Sequence, residues 1–191
     1  MLGIDVYASY GTFKALIENF NNGRANGKSF MLTQIRKNTM QEMKTYKIGS
    51  YKVTTFGVKH DALEPLGFLI EHPECGTILF ATDTYYIPYS FKDFDIHHVM
   101  IECNFSKEIL RQNNQLAKLQ DRIMQSHFEL QDVKEFFIAN QFAELRDVVL
   151  LHLSNANSNA EQFTEEIRML TKRPVYVADK GLEVDFNLYK F

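Results

Sequence analysis

Short apolar runs alternate along most of the chain with segments whose apolar residues recur every three to four positions. That is the pattern of strands and helices in turn, and it predicts an α/β domain. "IDVYAS" (4–9) reads as a strand opening onto "GTFKALIENF" (11–20), a helix with Phe13, Leu16, Ile17 and Phe20 on one face. "NNGRANG" (21–27) reads as loop, and "MLTQIRKNTMQEM" (31–43) as irregular chain or a short strand. "YKIGSYKVTTFGVKH" (46–60) carries two strands around Gly49, and Phe56, Val58 and His60 share one parity, which places His60 at a strand end. "LGFLIE" (66–71) and "TILFAT" (77–82) form the arms of a hairpin joined by "HPECG", and "HHVMIECN" (97–104) is a further strand. "SKEILRQNNQLAKLQDRIM" (106–124) predicts one helix. Ser126 and Glu129 then stand in the S-x-x-E spacing of a capping box, putting His127 in the first turn of the next helix. "DVVLLHLS" (147–154), "AEQFTEEIRML" (160–170) and "PVYVA" (174–178) complete the alternation as strand, helix and strand.

Composition narrows this picture in three ways. With 191 residues, 45% of them hydrophobic, the chain can bury one sizeable core, and a single domain over 1–191 is the simplest organisation. No run approaches the roughly 18 apolar residues of a membrane span, and the N-terminus lacks a signal-peptide pattern, so the expected location is the cytoplasm. Cys75 and Cys103 match no zinc spacing and read as small buried thiols. The net charge of −3 hides a local excess: Arg24, Lys28, Arg36, Lys37, Lys44, Lys47, Lys52 and Lys59 stand against one acid, Glu42. Such a stretch either attracts a polyanion such as nucleic acid or forms a solvated face without a ligand.

Three predicted strands end in a side chain able to bind metal: His60 in "VKHDA", Asp83 in "ATDT" and His152 in "LLHLS". In α/β sheets ligands gather outside strand ends, so residues distant in sequence can converge there. Each also has a plain structural reading, the aspartate as a turn former and the histidines as hydrogen-bonded residues. Asp61 and Glu64 fit a solvated turn, Tyr85 and Tyr86 either pack at a rim or stack on a base, and Asn104 stands at a matching strand end.

"FGVKHDALEPLGFLIEH", "GTILFATDTYY", "IMQSHFEL" and "DVVLLHLSNANSNAEQF", in this order, resemble the second half of a metallo-β-lactamase-fold hydrolase. The closest resemblance is to the bacterial nuclease-like branch, which is similar to the tRNA 3′-processing endonucleases. The resemblance implies an αβ/βα sandwich, a phosphodiester or nucleic-acid substrate and two divalent metals, zinc or else manganese. It makes His60 a ligand of one metal, Asp83 the carboxylate bridging both and His152 a ligand of the other. Two such ions, roughly 3.5 to 4 Å apart, would activate water and stabilise the oxygens of a phosphodiester in displacement. His127 aligns with a histidine that contacts the substrate phosphate or protonates the leaving group, although "SHFEL" departs from the usual Gly-His-Ser surroundings.

The H-x-H-x-D-H motif of that family is absent from this sequence, and "MLGIDVYAS" resembles the strand that follows it. The chain is therefore expected to be the C-terminal three quarters of the family fold, incomplete at its N-terminus. Metal occupancy and turnover are expected to be poor, with homodimerisation, strand exchange or a separately supplied segment completing the first sheet. The competing expectation is a non-catalytic remnant or nucleic-acid-binding module on the same fold.

Overall fold

In the computed structural model, residues 3–21, 35–113 and 117–189 are described. The larger sheet grows from the segment that reads as a meander. Strands β3 (Thr45–Ile48), β4 (Tyr51–Gly57), β5 (Leu66–His72) and β6 (Gly76–Ala81) pair antiparallel in sequence order. Gly49 (φ 62°) and Gly76 (φ 68°) supply the left-handed residues at two of the turns. From β6 onward the sheet is parallel, through β7 (His98–Glu102), β8 (Asp147–Leu151) and β9 (Val175–Val177). Parallel neighbours require crossovers. The β7–β8 crossover contains helices α2 (Lys107–Gln112), α3 (Ala117–Ser126) and α4 (Leu130–Asn140), and the β8–β9 crossover contains α5 (Ala160–Thr171).

The central strands are covered on both faces. Leu79, Val99, Ile101, Val148 and Leu150 have no exposed surface, and the helices bury Val133, Phe137, Phe163 and Ile167 against the same core. Each fully buried side chain of this size stabilises the fold by about 1.5–3 kcal/mol relative to leaving it exposed. Lys134 on α4 meets Glu166 on α5 at 2.8 Å, and the Lys134 and Gln162 hydrogen bonds hold the Glu166 carboxyl below its ordinary value of 4.5. A depressed carboxyl pKa stabilises the native state above the unfolded value, and this stabilisation disappears as pH falls through the folded value. Glu166→Gln should therefore cost only a few tenths of a kcal/mol at pH 7, since the pair is partly exposed, and less at pH 3, below the ordinary carboxyl value. Urea unfolding at the two pH values tests this.

The remaining strands form a separate two-stranded parallel ladder, β1 (Ile4–Ser9) with β2 (Ile35–Met40), connected through α1 (Tyr10–Asn21). Part of the stretch that reads as irregular or a short strand is thus a strand, while residues 22–27 of the expected loop lie outside the described residues. The α1 stripe is only partly covered: Phe13 is buried, Ile17 and Phe20 are half-buried and Leu16 is exposed. Glu64 is not merely a solvated turn residue, because its Oε2 accepts from Gly11 N at 2.7 Å in the first turn of α1. A Cβ on Gly11 would lie 2.6 Å from Leu63 O, so only glycine permits this approach.

Two helical expectations need correction. The helix expected over 106–124 is interrupted: α2 ends at Asn113, whose extended backbone (φ −79°, ψ 121°) accompanies side-chain bonds to Ala156 O and Asn157 Oδ1. The capping box does not form. Ser126 closes α3, while Glu129 itself caps α4, accepting from Gln131 N at 2.9 Å and from Lys107 N at 3.1 Å. His127 consequently lies between two helices rather than in a first turn. Among the described residues no helix is long and apolar enough to cross a membrane.

Candidate metal centre

Strands β6, β7 and β8 run in one direction, so their carboxyl ends open onto one edge of the sheet, and β4 runs the same way across two antiparallel pairings. Asp83 follows β6, Asn104 follows β7, His152 follows β8 and His60 stands three residues beyond β4. His60 is thus past the strand end, attached through the bridge of Lys59 to Tyr86. His98, at the opposite end of β7, pairs with Asp147 at 2.9 Å and lies four residues from Glu102, roughly 13 Å along a strand. It belongs to a different region.

Ligand atoms of Asp83, His127 and His152 lie within 4.8 Å of one another. The structure thereby brings together two of the expected ligands and the expected substrate-contacting histidine. His60 is outside this group, with its ring centroid 6.0 Å from that of His127. Its Nδ1 lies 2.9 Å from Ser126 O, and its Nε2 lies 3.1 Å from Asp61 Oδ1. One carboxylate and two imidazoles form the nitrogen and oxygen donor set that suits zinc or a similar divalent cation, so these residues fit such an ion.

Beneath the group is Glu102, the last residue of β7, with no exposed surface. Its Oε1 lies 2.6 Å from His127 Nδ1 and 3.1 Å from His152 Nδ1, and its Oε2 accepts from Thr84 N at 2.6 Å. A buried carboxyl group needs hydrogen-bond partners, and here two imidazoles and a backbone N–H supply them. An Nδ1–H donated to Glu102 leaves the Nε2 of His127 as its other donor atom, the carboxylate–histidine arrangement that orients metal-binding imidazoles, whereas His152 Nδ1 also lies 3.2 Å from Asp83 Oδ1. The Glu102 hydrogen bond raises the His127 pKa above its ordinary value, with burial opposing and Asp83 and Asp61 adding smaller effects in the same direction.

Nothing in the local pattern singled out Glu102, because a polar residue at a strand end is ordinary. The available signal was a charge inside a run buried on both faces, which must be paired. Asn104, also 7% exposed, supports the site as its strand-end position suggested: its Nδ2 donates to His152 O at 2.6 Å. The backbone is strained at Asp83 and His152. Asp83 (φ 50°) and His152 (φ 55°) are left-handed, a conformation that costs a non-glycine residue roughly 1–2 kcal/mol.

Comparison with known proteins agrees with this architecture. No family model matches the chain. It is 28% identical, over an alignment covering 98% of this chain and 66% of the relative, to the exodeoxyribonuclease WalJ of Streptococcus pneumoniae strains D39 and R6. It superposes on the metallo-β-lactamase fold protein YhfI of Bacillus subtilis with a TM-score of 0.64 and 17% identity, covering 95% of this chain and 65% of that one. A diphosphatase from the PhnP family gives 0.63 and 13%, covering 93% and 56%. The chain spans 66% of the length of the curated relatives it matches. The chain thus has the metallo-β-lactamase fold.

Proposed function

We propose that this chain, which has the metallo-β-lactamase fold, is part of a metal-dependent phosphodiesterase of nuclease-like type. The carrying observation is the convergence of Asp83, His127 and His152 above the buried Glu102. The similarity to an exodeoxyribonuclease supports a phosphodiester substrate, with nucleic acid as the specific class. Asp83 and His152 are the proposed metal ligands, with zinc preferred and manganese the second choice. His60 is the proposed ligand of a neighbouring ion, and His127 faces the substrate phosphate beside His152, their ring centroids 5.1 Å apart. A divalent ion bound here would supply Lewis-acid stabilisation of the phosphoryl oxygens and lower the pKa of water. Glu102 keeps both imidazoles oriented, while His127 holds a proton within reach of a leaving oxygen.

The non-catalytic reading draws less support from the basic stretch than its composition suggested. Arg36 is paired with Asp5 at 2.6 Å and Lys52 with Glu71 at 3.0 Å, while Arg24 and Lys28 lie outside the described residues. Calorimetric titration with zinc and with manganese, followed by hydrolysis of bis(p-nitrophenyl) phosphate before and after chelation, tests the proposal. Divalent binding and metal-restored hydrolysis are expected. Nucleic-acid binding that survives chelation, without metal uptake or hydrolysis, would overturn the proposal in favour of a binding module.

A further inference from the structure

An aromatic cleft of about 570 Å³ opens beside the donor group, lined among others by Tyr85, Tyr86, Phe128, Phe136, Asp132 and Glu135. It is continuous with the site in the chain itself: Tyr85 and Tyr86 follow Asp83 and Thr84, and Phe128 follows His127. Tyr86 is 54% and Tyr85 39% exposed, yet the backbone carrying them is clamped. Lys59 N donates to Tyr86 O at 3.0 Å, Tyr85 N donates to Lys59 O at 2.9 Å, and the fully buried Thr84 donates its hydroxyl to Tyr86 O at 2.9 Å. Thr84 N is in turn held by Glu102, the carboxylate that orients the two histidines. Two water-facing rings are thus mounted on a backbone fixed to the same anchor as the two histidines. Such rigidity suits a preformed stacking surface, because little freedom remains to be lost on binding.

Charge separates the cleft from the phosphate position. Asp132 and Glu135 line it and, among the described residues, no lysine or arginine does, although Lys107 Nζ approaches Asp132 at 3.6 Å from outside. Two carboxylates disfavour a phosphate in the cleft but accept hydrogen bonds from the amino groups of a base. Burial pushes the Asp132 carboxyl above its ordinary range, consistent with an apolar lining.

We infer that this cleft binds the nucleobase adjoining the phosphate at the metal donors, stacked on Tyr86 and Tyr85. The inference rests on the phosphodiesterase reading and names its substrate as a nucleic-acid strand with an unstacked base. Stacking on an aromatic side chain accounts for about a tenfold affinity per base and tolerates any sequence, since every base has a π-face.

The test is fluorescence anisotropy with a labelled single-stranded hexadeoxynucleotide and with its abasic counterpart, on the whole chain in chelator so that metal loading plays no part. Tyr86→Ala should weaken binding of the ordinary strand about tenfold while leaving the abasic strand unchanged, and Tyr86→Phe should behave as the unaltered protein. Equal losses on both strands, no loss on either, or no binding of the ordinary strand would overturn the inference. Because metal-dependent hydrolysis is measured separately on bis(p-nitrophenyl) phosphate, which has no base, failure of the cleft leaves that activity standing. Failure of the phosphodiesterase reading appears instead in the hydrolysis assay.

Discussion

Replacing His152 with alanine should lower zinc affinity by about a hundredfold or more and reduce phosphodiester hydrolysis in parallel, while the fold survives. The side chain is 46% exposed, so little packing is lost, but its imidazole is one of the three donors within 4.8 Å and its Nδ1 is already oriented by Glu102. Removing even a residue that orients a ligand typically costs 10–100-fold in metal affinity or activity, and removing a donor should reach at least the upper end of that range. His152→Gly distinguishes chemistry from backbone strain. Both variants lose the donor, but glycine relieves the left-handed conformation at φ 55°, so it should unfold at higher denaturant than alanine by a difference of about 1 kcal/mol. Unchanged zinc affinity in either variant would remove His152 from the site.

Glu102→Gln should be more damaging to the protein as a whole. The carboxylate accepts from His127 and His152 through one oxygen and from Thr84 N through the other. A glutamine has one acceptor oxygen: turned one way its NH₂ group meets the Thr84 N–H, and turned the other it forces both imidazoles into the Nε2–H tautomer, which cannot bind a metal through Nε2. With no exposed surface at this position, water cannot repair the mismatch. A loss of about 1–3 kcal/mol of stability is expected, the usual cost of an unsatisfied buried polar group, together with about 10–100-fold lower metal affinity. Thermal unfolding and zinc titration read the two effects. A variant with wild-type stability and wild-type zinc affinity would show that Glu102 does not organise the histidines.

Much of the fold was legible because its periodicities are local. The "HPECG" hairpin and the apolar runs of β7 and β8 need no distant partner to be read. The failures occur where a distant group takes over a local signal. Ser126 and Glu129 have capping-box spacing, but Lys107 N and the bridge of Phe105 to Glu129 draw the glutamate into the α2–α4 junction, and the cap shifts. The interruption of the 106–124 helix follows from Asn113 bonding to residues more than 40 positions away. At the site, Asp83 and His152 were visible as polar ends to apolar runs. His127 was visible through its resemblance, but its proximity to both was not. Glu102 was hidden because its meaning depends on three partners from separate segments.

The converging side chains of the candidate centre lie at positions 83, 127 and 152, carried there by β6, the α3–α4 junction and β8. No short fragment of the chain can assemble them, so the site exists only when the parallel half of the sheet has closed with its crossovers in place. An ion held at such a site selects the completed native state, and at a hundred times its Kd it would add about 2.7 kcal/mol to stability. The metal would thus serve as a reporter on folding, with the unfolding midpoint following its concentration.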